Sequence, residues 1–236
     1  MGVISGGDAV HVHASMVGDL YKLVPWMEEN FQKAFKAVDC FRKRSKLSAA
    51  FKLFQLEEGL HPYVLVKARF ERLGSKFGQT RRLLKVKKVI RKFVHKKRFK
   101  AAFGGKKKDR DKRIETADVL KSRDFWKKQK LAAKVLSPIM RSMRLSDTRL
   151  QGKAGLLLPQ LRRVQTSVAA RLQKACETVM PGEPLATAQA VRAVKDKIEE
   201  RILELASDGV KAACRVHPHN LKELREEEDQ KAVCTK

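Results

Sequence analysis

The sequence predicts an all-α, multi-helix protein with little or no sheet, and three observations carry that expectation. Every stretch longer than ten residues with a clear apolar period follows 3.6 residues and not 2. The one strand-like run, "YVLV" at 63–66, is too short to establish a sheet. Hydrophobic residues fill 43% of the 236 positions, enough to bury the core of one large helical domain or two small ones.

Residues 1–18 form an unanchored end, expected to be poorly ordered. In "PWMEENFQKAFKAVDCF" the residues Met27, Phe31, Ala34, Phe35, Val38 and Phe41 recur at helical spacing, with Pro25 placed to begin the helix. Leu47, Phe51 and Phe54 continue in a second helix after Ser45, and Gly59 and Pro62 mark a loop. A third helix carries an apolar stripe of Val86, Val89, Ile90, Phe93 and Val94. Arg81, Lys85, Lys88, Lys92 and Lys96 follow its other face. "GGKKKDRDKR", Gly104 to Arg113, has no apolar residue and reads as a charged flexible linker over 104–114.

Beyond it, a helix opening with Phe125 and Trp126 meets Pro138, which marks a kink or a boundary between two packed helices, and resumes to about Arg144. Leu158, Leu161, Val164, Val168 and Leu172 give the next helix one apolar face, and Pro181, Gly182 and Pro184 stop it. Val191, Val194, Ile198, Ile202 and Leu205 lie on a last helix. The expected organisation is a basic helical subdomain over 19–103, a second helical subdomain over 115–218, and a charged tail over 219–236.

Charge narrows the function. Lys and Arg number 53 against 26 Asp and Glu, a net +27 that points to a polyanionic partner. Residues 67–113 alone hold 21 Lys and Arg against 3 acids, so two thirds of the net charge sits in one fifth of the chain. The four cysteines, Cys40, Cys176, Cys214 and Cys234, are widely spaced and suggest neither a disulfide framework nor a zinc ribbon. No apolar run approaches a membrane span, the N-terminus lacks a secretory pattern, and Gly6 stands where a myristoylation signal wants Ser or Thr. A soluble, intracellular and nuclear protein with no membrane partner is expected.

The segment Arg123 to Asp147 resembles the helical region of hAT-superfamily transposase-like proteins, with Trp126, Pro138, Arg144 and Asp147 at the corresponding places. Three other stretches fall in the same order. One begins "DLYKLVPWMEEN"; one is "ERLGSKFGQTRRLLKVKKVIRKFV", matched at Arg72, Ser75, Phe77, Leu83, Leu84, Lys87, Ile90 and Arg91; the last is "RILELASDGVKAACRVHP", with Ala212, Ala213 and Pro218. In that family a long all-helical insertion interrupts an RNase H-like domain whose two Asp and one Glu hold divalent metal. The resemblance places this chain in the insertion, so the three catalytic carboxylates fall outside it and no phosphoryl-transfer site is implied. The chain departs from the family at "DAVHVHAS", which has no cysteine, at Ile202 in place of Trp, and at His217 in place of Asn before Pro218. These departures suggest a truncated, diverged copy.

Two clusters could ligate metal: Asp8, His11 and His13, and the C-x-x-H-x-H of Cys214, His217 and His219. The first is better read as an eroded motif and the second as a helix end, so no metal or other cofactor is expected. No cysteine has the His base that a catalytic thiol needs, and neither enzyme activity nor a small-molecule substrate is expected. The candidate nucleic-acid-binding residues are Arg72, Lys76, Arg81, Arg82, Lys85, Lys88, Arg91, Lys92, Lys96, Lys97 and Arg98. DNA is the expected partner. The alternatives are a helical interaction module, with a homo-oligomer or partner helix completing its core, and a non-functional transposon remnant.

Overall fold

The computed structural model describes residues 6–68, 74–148 and 157–205. They form nine α-helices and no strand: α1 Gly6–Leu23, α2 Pro25–Lys43, α3 Ser45–Glu57, α4 Gly74–Phe93, α5 Lys97–Ala101, α6 Lys107–Lys121, α7 Arg123–Thr148, α8 Leu157–Val179 and α9 Pro184–Leu205. The chain divides into two compact units, residues 24–134 and residues 1–23 with 135–236. Helix α7 begins in the first and ends in the second. It runs through Pro138 without a break. The backbone bond that proline forgoes, to the Lys134 carbonyl, falls where the units divide.

The 24–134 unit is built on aromatic packing. Phe41, Phe51, Phe54, Phe93 and Phe99 are all buried. The Phe93 ring lies 5.3 Å from Phe51, 5.4 Å from Phe54 and 5.7 Å from Phe99. Helix α3 ends on Gly59, whose φ of +71° suits glycine. There the Gly59 amide donates to the Leu56 carbonyl and the Leu60 amide to that of Gln55, which closes the helix end. The stretch after it stays irregular, as expected, yet it is fastened at both ends by buried glutamines. Gln55 Oε1 accepts from the Tyr63 amide at 2.9 Å, and Gln79 Oε1 accepts from the Ala68 amide at 2.8 Å. Trp126, fully buried, donates from Nε1 to the Leu120 carbonyl at 2.7 Å, which locks the α6–α7 corner.

In the other unit α8 and α9 form a hairpin through Gly182 (φ +93°), and α9 also packs on α1. Pro184 begins α9 as well as ending the turn. Arg201 on α9 bonds Asp19 of α1 at 2.9 Å and Glu204 at 2.8 Å, and those bonds raise its pKa. His13 Nε2 lies 2.7 Å from the Ser142 hydroxyl in a buried pair.

Three expectations are corrected. Residues 6–18, expected to be poorly ordered, lie in α1, because Met16, Val17 and Leu20 bury fully. The linker of 104–114 is largely helix, since α6 starts at Lys107 and is anchored by buried Thr116, Ala117 and Leu120. A division at 104–114 therefore gives way to one at 23–24 and 134–135. Residues 206–236, with Cys214, His217, His219 and the tail, lie outside the described residues, as do the side chains of Asp8 and His11.

Candidate nucleic-acid interface

The 24–134 unit holds 34 Lys and Arg against 11 acids, a net +23, while the remainder of the chain holds 19 against 15, a net +4. Within this unit α4 sorts its residues by face. Leu83, Val86, Val89, Ile90 and Phe93 are buried, whereas Arg81, Lys85, Lys88 and Lys92 are exposed. From Arg81 to Lys92 the exposed row rises about 16 Å along the helix axis. That length matches about five nucleotide steps of one strand at about 3.4 Å each.

Beyond α4 the row continues on exposed Lys96, Lys97 and Arg98, while Arg82 and Arg91 are half-buried at its flanks. The helix itself stops at Phe93, and Lys97 opens the short α5. Lys92 Nζ pairs with Glu58 at 2.5 Å and Arg98 pairs with Glu57. Both cations remain more than half exposed, so such pairs are weak and can be exchanged for phosphate. Lys88 and Lys97 have no ion-pair partner among the described residues.

Lys76 does not belong to this surface. It is 8% exposed, packs 4.7 Å over the Phe31 ring and approaches Glu28 at 3.7 Å, so it is part of the α2–α4 packing. The sequence pattern counted its charge and could not see Phe31 across from it. Arg72 lies outside the described residues. Phe77, Phe93, Phe99 and Phe103 are buried and serve as core, not as base-stacking platforms.

Tyr63 is a neighbour of this surface that periodicity did not reveal. Its half-buried ring lies 4.1 Å from Lys85 Nζ and 5.1 Å from Arg82 Cζ, at the edge of the basic row. The clue in the sequence was a single aromatic directly after Pro62, in a loop whose other apolar residues, Leu60, Val64, Leu65 and Val66, are all aliphatic.

Two acidic groups in this unit, Asp39 and Asp109, are held by neighbouring cations. Burial pushes the Asp39 carboxyl up, but hydrogen bonds from Lys43 at 2.8 Å and Lys67 at 2.6 Å outweigh it and hold the group below its ordinary range. Asp109 is lowered above all by its hydrogen bond from Arg44, whose own pKa is raised by the same bond. Among the described residues no three metal-ligating side chains cluster, and no helix is long and apolar enough to cross a membrane. No family model, curated protein or solved structure matches this chain.

Proposed function

We propose that this is a nuclear, transposase-derived protein that binds nucleic acid, DNA in the first instance, through the α4–α5 face of its 24–134 unit, without a catalytic site of its own. The observation that carries the reading is the row Arg81, Lys85, Lys88 and Lys92, presented on a helix whose opposite side is fixed in the core. Fixed cations at helical spacing meet successive phosphates, and each contact releases counterions, so affinity depends steeply on salt and weakly on sequence. The resemblance to the hAT helical insertion supports the same reading, since it leaves the metal-binding carboxylates outside the chain.

A second reading, a protein-interaction module, is favoured by exposed Leu53, Leu56, Leu60 and Val64 at the end of α3 and in the loop after it. Titrating the chain against duplex DNA, duplex RNA and a single strand at several salt concentrations separates the two. The variant with Arg81, Lys85, Lys88, Lys92 and Lys96 all replaced by Gln should keep its circular dichroism and bind unrelated duplexes equally less well. Its log-log salt slope should be shallower by about 0.9 for each phosphate contact removed. Unchanged affinity and slope would transfer the conclusion to the interaction module.

A further inference from the structure

Helices α2 and α6 lie side by side and leave a groove of about 550 Å³ between them. Its floor is apolar, made by Ala37, Val119 and the half-buried thiol of Cys40. Its walls are cationic: Lys33, Lys36, Lys43 and Arg44 come from α2 and the residue after it, and Lys112 from α6. Only two carboxylates line it, Asp39 and Glu115.

The charges do not cancel. Asp39 is already held by Lys43 and Lys67, and Arg44 is held by Asp109 at 2.5 Å. Gly104 makes that last pairing sterically free, since a Cβ there would stand 2.6 Å from Asp109 Oδ2. Glu115 meets Lys36 only at 3.8 Å between two well-exposed side chains. Lys33 and Lys112 have no ion-pair partner among the described residues. Lys33 on one wall, and on the other Lys112, which is attracted to Asp109 only beyond ion-pair distance, thus stand without an ion pair beside an apolar floor, in a space of the size that small ligands occupy.

We propose that this groove binds a phosphorylated small molecule with an apolar, ring-bearing body, in chemical class a nucleoside polyphosphate. The phosphates lie between Lys33 and Lys36 on one wall and Lys112 on the other, where ammonium groups act as point charges for phosphate oxygens. The ring lies over Ala37 and Val119, beside Cys40. The site is separate from the α4 row, since neither Lys88 nor any other exposed cation of that row lines it.

Cys40 provides a reading specific to the site on a chain whose charge binds anions everywhere. Limited alkylation followed by peptide mapping measures its modification rate, with ATP and inorganic tripolyphosphate as probes. ATP should protect Cys40 saturably. The Lys36→Gln/Lys112→Gln variant, changed only at exposed positions, should need at least tenfold more ATP, while Lys88→Gln should match the parent. Tripolyphosphate, lacking a body for the floor, should protect at least tenfold less well than ATP. The proposal is overturned by no protection at millimolar ATP, by equal protection in the double variant, or by tripolyphosphate matching ATP. Protection by a short duplex where ATP gives none would also overturn it and make the groove part of a nucleic-acid track. Loss of duplex binding in the α4 variants leaves these outcomes unaffected.

Discussion

Phe93 and Lys92 are adjacent in sequence and opposite in role. Phe93 is fully buried, with its ring against Phe41, Phe51, Phe54 and Phe99, so Phe93→Ala removes the centre of the cluster and leaves a cavity. We expect a loss of about 3–5 kcal/mol in urea unfolding. Lys92→Gln, at a site 60% exposed, should change stability by less than about 0.5 kcal/mol. The Arg44–Asp109 pair makes a prediction with a definite sign in pH. Because Asp109 is lowered below its ordinary 3.8, the pair stabilises the fold above that pH and loses its contribution as pH falls through the depressed value. Asp109→Asn removes the contribution at every pH. Urea midpoints of variant and parent should therefore differ at pH 7 and draw together as pH falls below the ordinary carboxylate range, and a difference that does not shrink with acid would assign the effect to packing.

At the scale of elements, α6 separates what composition says from what the chain does. "KKKDRDKR" holds no apolar residue, but Lys and Arg are good helix formers, and a helix anchored at Thr116, Ala117 and Leu120 extends backwards through them. Proline distinguishes helix from linker: Lys107→Pro, at the first helical position, should be tolerated, while Asp111→Pro should cost about 3 kcal/mol or more. Asp111 is exposed, so the contrast reads the backbone alone. A flexible linker would accept both. The stripes of α2 and α4 were legible because an apolar face at 3.6 spacing is a local pattern. The burial of Met16, Val17 and Leu20 on α1 and that of Lys76 were not, because each depends on a partner distant in sequence. The groove between α2 and α6 was invisible for the same reason: with 104–114 read as linker, Lys112 had no fixed place, and 115–119 was assigned to a different subdomain from α2.

For the molecule as a whole, charge and unit boundaries coincide, and this permits a test of where binding resides. The 24–134 unit carries a net +23 of the total +27, and its core cluster, from Ala34 to Trp126, lies entirely inside it. Its last helical segment ends at Lys134, the residue whose carbonyl receives no bond from Pro138, so cutting there breaks α7 where its backbone ladder is already interrupted. A fragment of residues 24–134 has the length of an ordinary independent domain. It should melt cooperatively by circular dichroism and bind duplex DNA within about threefold of the whole chain. Since the phosphate-facing cations all remain, its log-log salt slope should differ from that of the whole chain by less than one contact, about 0.9. A fragment that folds but binds with a clearly shallower slope would mean that cations of the other unit, despite its net +4, also touch phosphate, and the interface would then have to be extended beyond the α4–α5 face.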